Sequence, residues 1–201
     1  MLLQGRAGMF WLKKSSGSMR FVLVSSNQRK IDELVLLLKP EFDVDVQVFE
    51  YPELKLDDSC DISKAAAKML ASRLNRAVIV EDSGFFIRSL NGFPGTCTKY
   101  VHTRIGNDGL LRVMKGVKNR VCFYRSAVAV CSPGGEPLCF LGEEEGRVAE
   151  EAKGAKGWGQ DAIFIPKGKK KTYGELGHAG FHLFRKRSVE RLKDYLSSIR
   201  F

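Results

Sequence analysis

The chain has 201 residues, 44% hydrophobic and 28% charged, which excludes a disordered, collagen-like or disulfide-dense scaffold. That length suits one large domain or two small lobes, and the longest apolar runs fall far short of a transmembrane helix. Lys and Arg outnumber Asp and Glu by 33 to 23, and the resulting charge of +10 points to an anionic partner: a nucleotide, a nucleic acid or a membrane surface.

Residues Met1 to Ser18 carry Arg6, Lys13 and Lys14 but no acid, and end in Ser15-Ser16-Gly17-Ser18. The apolar run Met9-Phe10-Trp11-Leu12 is shorter than the core of a signal peptide. Residues 1–18 therefore read as a disordered extension or a misplaced start, with the folded part, residues 19–201, opening at Met19.

Phe21 to Val24 reads as a buried strand, broken by Ser25-Ser26-Asn27. From Gln28 to Lys39, Ile31, Leu34, Val35 and Leu38 share one helical face, with Asn27 as N-cap and Pro40 as stop. Val44, Val46 and Val48 alternate with polar residues as a second strand. The Ala-rich stretch Asp61 to Asn75 predicts a helix, and Ala77 to Val80 a buried strand ending at Glu81-Asp82-Ser83-Gly84. A short helix follows over Asn107 to Lys115. Val121 to Cys131 and Leu138 to Val148 form strands around the turn Ser132 to Pro137. A short strand at Ile163 to Ile165 and a helix from Ser188 to Ile199 close the chain. The order predicts a mixed α/β sheet with no internal repeat and no linker; two lobes around a cleft also fit.

The cysteines are Cys60, Cys97, Cys122, Cys131 and Cys139. Their odd number and the lack of any C-x-x-C pair argue against a zinc site or a full disulfide framework. The expectation is reduced, mostly buried thiols, with a Cys131–Cys139 bridge across the hairpin as the alternative.

Three segments can carry chemistry. In Ser25-Ser26-Asn27-Gln28-Arg29-Lys30, small polar residues at a strand-to-helix turn expose N–H groups at a positive helix end, a seat for phosphate, and Lys30 adds a charge one turn on. A plain capped turn is the alternative. The acids of Glu81-Asp82-Ser83-Gly84 follow a strand, where ligands of open α/β sheets bind, and Mg²⁺ can bridge such acids to phosphate. Glu53, after Pro52, is a lone loop acid on local grounds. In Lys156-Gly157-Trp158-Gly159-Gln160-Asp161, a Trp between glycines suits stacking on a base or closing the core from a loop, and Asp161 can meet a base edge. Seven Lys and Arg between Lys167 and Arg187 face Glu175 alone, while His178 and His182 lie among glycines, which disfavours a helical metal pair.

In order and spacing these motifs resemble the inosine triphosphate pyrophosphatase family, over Arg20 to Phe201. The resemblance rests on Ser25 to Lys30, Pro52-Glu53, Glu81 to Gly84, Asn91-Gly92-Phe93-Pro94-Gly95, Trp158 to Phe164 and Thr172-Tyr173-Gly174-Glu175-Leu176. Ser26 replaces the family's turn glycine, and Gln160 and Ala162 stand where an aromatic and a proline are usual. The terminal S-H-R triplet falls on Leu183-Phe184-Arg185, so the arginine alone persists, with His178 and His182 nearby.

The resemblance implies an elongated mixed α/β protein with two lobes around a central cleft, usually a homodimer; the expected reduced thiols point to the cytoplasm, and neither a membrane partner nor a stable nucleic-acid complex is expected. It implies hydrolysis of ITP, dITP and XTP to the monophosphate and pyrophosphate with Mg²⁺. On the residues here it assigns Ser25, Ser26, Asn27 and Lys30 to the phosphates, Glu53 and Asp82 to the metal, and Asp82 with Glu81 to the water. Ser83 and Gly84 would donate to substrate, Trp158 would stack on the purine, and Asp161, Arg185 and His178 would lie near its edge. A site offering only a donor to position 6 accepts a keto group and leaves adenine's amino group unpaired. Rival readings are a pyrophosphatase for modified pyrimidine nucleotides, a lapsed enzyme that still binds nucleotides, and a nucleic-acid module. The last would interleave aromatics with Lys167 to Lys171, where there are none.

Overall fold

The computed structural model describes residues 20–52, 54–178 and 180–199. The expected extension over residues 1–18 lies outside them. The elements run β1 (Arg20–Val24), α1 (Gln28–Leu38), β2 (Asp43–Gln47), α2 (Ser59–Leu74), β3 (Val78–Ile87), β4 (Pro94–Gly95), α3 (Thr98–Val113), β5 (Val121–Cys131), β6 (Leu138–Val148), β7 (Phe164–Pro166), α4 (Tyr173–Leu176) and α5 (Leu183–Ser198). Seven strands form one mixed sheet in the order β2-β1-β3-β5-β6-β7, with β4 on β3. The strand β1 runs parallel to β2 and β3; all other pairs are antiparallel. The predicted mixed α/β class is what the chain adopts.

Side-chain caps fix where α1 and α2 begin. Asn27 accepts from the N–H groups of Arg29 and Lys30 at 3.1 and 3.3 Å, as the sequence suggests. Asp58 caps α2, which begins at Ser59, two residues before its expected start, and Asn75 ends it in the left-handed region at φ 48°.

Strand alternation divides the core. Phe21, Leu23 and Ile79 point to the face covered by α1 and α5, meeting Leu34, Leu38, Val189 and Leu192. Val22, Val78 and Val80 point to the other face, against Ala67, Leu70 and Ala71 of α2. A third cluster gathers Phe85, Ile87, Leu110, Tyr124, Phe164 and Phe184 around the far halves of β3 and β5.

Three expectations need correction. The strand β3 does not end before Glu81: it continues to Ile87, each of its 10 residues paired with β5 from Val78↔Cys131 to Ile87↔Cys122. Pairing to a long partner outweighs the poor β-propensity of Asp, Ser and Gly. Helix α3 begins at Thr98, nine residues before the expected start, because Gly106 (φ 61°, ψ −167°) breaks the helical pattern between its two halves. Likewise α5 begins at Leu183 rather than Ser188.

The cysteines also depart from expectation. Cys60 and Cys139 form a disulfide, with Cα atoms 5.8 Å apart, tying the first turn of α2 to β6. Cys139 pairs across the hairpin with Ala129, whose side chain faces α2, so its sulfur meets Cys60 rather than Cys131. Two cysteines 79 residues apart leave no spacing signal. Cys97, Cys122 and Cys131 are free thiols.

Closing a loop of 79 residues restricts the unfolded chain by about 4 kcal/mol in the loop-entropy account. Adding a thiol-free phosphine reductant should therefore lower the urea midpoint of the natural chain, while Cys60→Ser should unfold at the lower midpoint with or without it. Equal midpoints for reduced and oxidised protein would show that the bridge adds nothing.

Candidate active site

A cavity of about 400 Å³ opens beside the middle of β3. One wall is the β1–α1 turn with Ser25, Ser26, Asn27 and Lys30; the floor is Glu81 to Gly84; Trp158 closes another side. The structure thus brings together nine of the residues singled out in the sequence. Asp161, Arg185 and His178 do not line the cavity but lie behind it.

Beneath the floor is a buried ion-pair chain. Arg185, fully buried, donates from Nε to Glu81 Oε1 at 3.1 Å and from Nη1 to Glu33, and its Nη2 lies 3.4 Å from Ser83 Oγ. Lys30 Nζ stands 2.9 Å from Glu81 Oε2 on the cavity side. His182 donates from Nδ1 to Glu33 Oε1 at 2.8 Å and from Nε2 to Asp161 at 3.1 Å. Asp161 also accepts from Tyr124 Oη at 3.1 Å and from the backbone N–H of Trp158 at 2.8 Å. Three cations face three carboxylates, so the buried charge balances.

The pairing sets the protonation states. Burial pushes the Glu81 carboxyl up, but the charges of Arg185 and Lys30 overcome it and hold the group at about 2. Glu33 is likewise raised by burial and brought down to about 2 by the His182 hydrogen bond and the Arg185 charge. Burial alone would lower His182; its hydrogen bonds to Asp161 and Glu33 raise it instead to about 9, so the ring is a cation at neutral pH.

Alternation along β3 separates the two acids read as a pair. Glu81 and Ser83 face α5 with Ile79, whereas Asp82 points with Val80 to the α2 side. Glu81 is committed to Lys30 and Arg185, while Asp82, half-buried, lines the cavity. Gly84 has a packing reason: a Cβ there would stand 2.3 Å from the Gly95 carbonyl oxygen of β4. Glu53 lies outside the described residues, but the neighbouring Glu50 lines the cavity, as does Tyr51. Glu50 and Asp82 therefore offer oxygen donors of the kind Mg²⁺ takes. Glu33, His178 and His182 are also close enough to share an ion, yet both His182 nitrogens are already bonded to carboxylates. His178 packs on His182 with ring centroids 4.0 Å apart, and burial lowers its affinity for a proton.

Trp158 is half-buried, edge-on to His182 with centroids 5.6 Å apart and 5.8 Å from the Arg185 guanidinium. Gly157 allows this: at φ 77°, a Cβ would lie 2.1 Å from Asp161 Oδ2, the atom that holds the Trp158 N–H. Several cavity residues escaped the sequence reading, among them Lys99, His102 and Thr103 on α3. They fall in the half of α3 that carries too few apolar residues to be recognised. Glu33 escaped because it sits roughly 200° around α1 from Ile31, on a side where only the tertiary fold buries it.

The Ham1 family model matches residues 21–195. A dITP/XTP pyrophosphatase of Methanopyrus kandleri is 42% identical over 160 residues, 79% of this chain and 85% of that protein. One of Methanosarcina acetivorans is 37% identical over 183 residues, 89% of this chain and 98% of that protein. Among solved structures, the Ham1 protein of Staphylococcus aureus superposes with a TM-score of 0.77 at 23% identity, covering 89% of this chain and 98% of its own. A nucleoside-triphosphatase/dITP/XTP pyrophosphatase of Mycobacterium abscessus gives 0.68 at 27%, covering 90% and 98%.

The ion-pair chain fixes how stability varies with pH. Glu33 and Glu81 have lowered values, so their contribution is full above the ordinary 4.5 and is lost as pH falls towards about 2. His182 has a raised value, so its contribution is full below 6.5 and is lost as pH rises through about 9. Thermal midpoints against pH should show a plateau between these limits, and His182→Gln should lose the alkaline slope. A natural protein with no fall between pH 6.5 and 9 would mean His182 is not a cation in the fold.

Proposed function

The chain belongs to the Ham1 family, and from that premise we propose that it hydrolyses ITP, dITP and XTP to the monophosphate and pyrophosphate. The observation that carries this reading is one cavity walled by the α1 N-terminus with Lys30, by Asp82 and by the Trp158 ring. The first wall suits a polyphosphate and the last a flat base. Relatives named dITP/XTP pyrophosphatase support the substrate class.

In the reaction, water attacks the α-phosphorus and the bond to the bridging oxygen breaks, so pyrophosphate leaves with the electron pair. Lys30, held by Glu81 at 2.9 Å, presents its charge to the phosphates, beside the N–H groups of the Ser25 to Asn27 turn. Asp82 orients the water and takes its proton; Glu81, locked as an anion, serves to fix Lys30 and Arg185 rather than to accept that proton. Asp82 and Glu50, with Glu53, are the residues that would hold Mg²⁺, which would neutralise charge on the triphosphate when bound. Trp158 stacks on the base. Arg185, Asp161 and His182 act on it from behind, by holding the ring.

We read the α1, α2 and α5 clusters as one lobe and the Phe85–Phe184 cluster as the other, in a single domain. Among the described residues no helix is long and apolar enough to cross a membrane. A homodimer in the cytoplasm completes the proposal, and there the Cys60–Cys139 bridge stands against a reducing thiol pool.

Pyrophosphate release from ITP, XTP, dUTP, ATP and GTP, with and without Mg²⁺, tests this reading. ITP and XTP should exceed ATP by at least about a hundredfold, and only with the metal. Release from dUTP alone would favour a pyrimidine enzyme, and release from none would overturn the proposal. Asp82→Asn should cost at least about a hundredfold in kcat with the thermal midpoint nearly unchanged; full turnover would remove Asp82 from the mechanism.

A further inference from the structure

The Trp158 loop joins β6 to β7 and has left-handed backbone at Gly154, Gly157 and Gly159 (φ 80°, 77° and 61°). No strand ladder holds such a stretch: backbone bonds such as Lys156 N–H to the Gly174 carbonyl at 2.9 Å and Asp161 N–H to the Trp158 carbonyl at 3.2 Å shape the loop, and side-chain tethers add to them on either side of the ring. From the core side they come from Asp161, already described. From the opposite side they come from α3: Asn107 Nδ2 donates to the Gly159 carbonyl at 3.0 Å, and His102 Nδ1 lies 3.1 Å from the Nε2 of Gln160. These two contacts flank Trp158's C-terminal neighbours one after the other. Gln160 is 2% exposed, so an amide that lost His102 would be left buried with a vacant donor.

The break at Gly106 makes the double contact geometrically feasible. Five residues of unbroken helix would set His102 and Asn107 roughly 140° apart around the axis, facing different neighbours. The backbone at Gly106, φ 61° and ψ −167°, is one that glycine alone adopts with ease, and it lies between the two tethers. The first half of α3 thereby keeps Lys99, His102 and Thr103 on the cavity, while the second half buries Leu110 and still reaches the loop through Asn107.

We propose that α3 clamps the Trp158 loop through His102–Gln160 and Asn107–Gly159, making His102 and Asn107 positioning residues that hold the indole ready for the base. This rests on the reading above that Trp158 stacks on the nucleotide, but the clamp itself is a property of the nucleotide-free protein. Asn107 does not line the cavity, so it acts through the loop.

The test uses the full chain with Trp11→Phe, which leaves Trp158 as its sole indole. Asn107→Asp keeps the shape but turns a carboxylate oxygen to the Gly159 carbonyl; Asn107→Ala removes the group. Both should raise acrylamide quenching of Trp158 in nucleotide-free protein by about two- to threefold. Both should also raise KM for dITP by about three- to tenfold, the loss of one hydrogen bond, with kcat within about twofold. His102→Ala should do the same to quenching, and His102→Gln, which keeps an acceptor for the Gln160 amide, should restore it. Unchanged quenching in the Asn107 variants, in protein that melts as the parent does, would overturn the clamp whatever the kinetics. A fall in kcat with KM unchanged would overturn it too. If the parent released no pyrophosphate from dITP, the functional reading would fall, and the quenching result alone would still decide the clamp.

Discussion

A guanidinium sealed from water needs more than one anion to be stable, and Arg185 has two, Glu33 from α1 and Glu81 from β3. Removing either acid would leave a buried charge short of a partner, a loss of about 3–5 kcal/mol in comparable pairs. The cost of that burial is offset by what the arrangement fixes. Three elements far apart in sequence, α1, β3 and α5, are drawn to one point. Through Glu81 the same point sets Lys30, and through His182 and Asp161 it sets the indole. Both ends of the cavity therefore take their positions from one charge-balanced cluster. Of the three cations in this cluster, Lys30 alone meets the solvent appreciably: it is 17% exposed, His182 2%, and Arg185 not at all.

The mixed sheet explains why this cluster can exist. A parallel β1–β3 pair places the N-terminus of α1 beside the middle of β3, and the antiparallel run from β3 to β6 brings α5 back over the same face. Adjacent residues on β3 then serve different tasks because the pleat sends them to opposite faces. Glu81 faces the buried cations and Asp82 the cavity's other side, where Glu50 and Tyr51 also stand.

Most of this frame was legible in the sequence. The spacing of Ile31, Leu34, Val35 and Leu38, the Asn27 cap, and the strands over Val121–Cys131 and Leu138–Val148 follow from local periodicity and turn chemistry, and the structure has them. The cavity wall of Ser25, Ser26, Asn27 and Lys30 was legible too, since a strand, a polar turn and a capped helix lie consecutively. What stayed hidden depends on contacts distant in sequence. Glu33 looks like a surface residue until His182 and Arg185 arrive 149 and 152 positions later. Arg185 was read as a base contact because its motif suggested it, yet its burial assigns it to the acids. The first half of α3 lacks an apolar stripe, so its helix and its cavity face went unseen. The Cys60–Cys139 pair has no local signature at all.

Because β3 runs unbroken from Val78 to Ile87 and is hydrogen-bonded to β5 along its whole length, it acts as a stiff beam joining the two apolar regions. Bending there would rupture a ladder of pairings at once, so the chain has no hinge at its acids. On the proposed function, entry and release of a nucleotide fall to the rim, where left-handed glycines and single side-chain ties replace the ladder. On the proposed reading, Asp82 stands on the beam and Trp158 on the rim, so substitutions in the rim loop can change how a base is gripped without moving the strand that carries the acids.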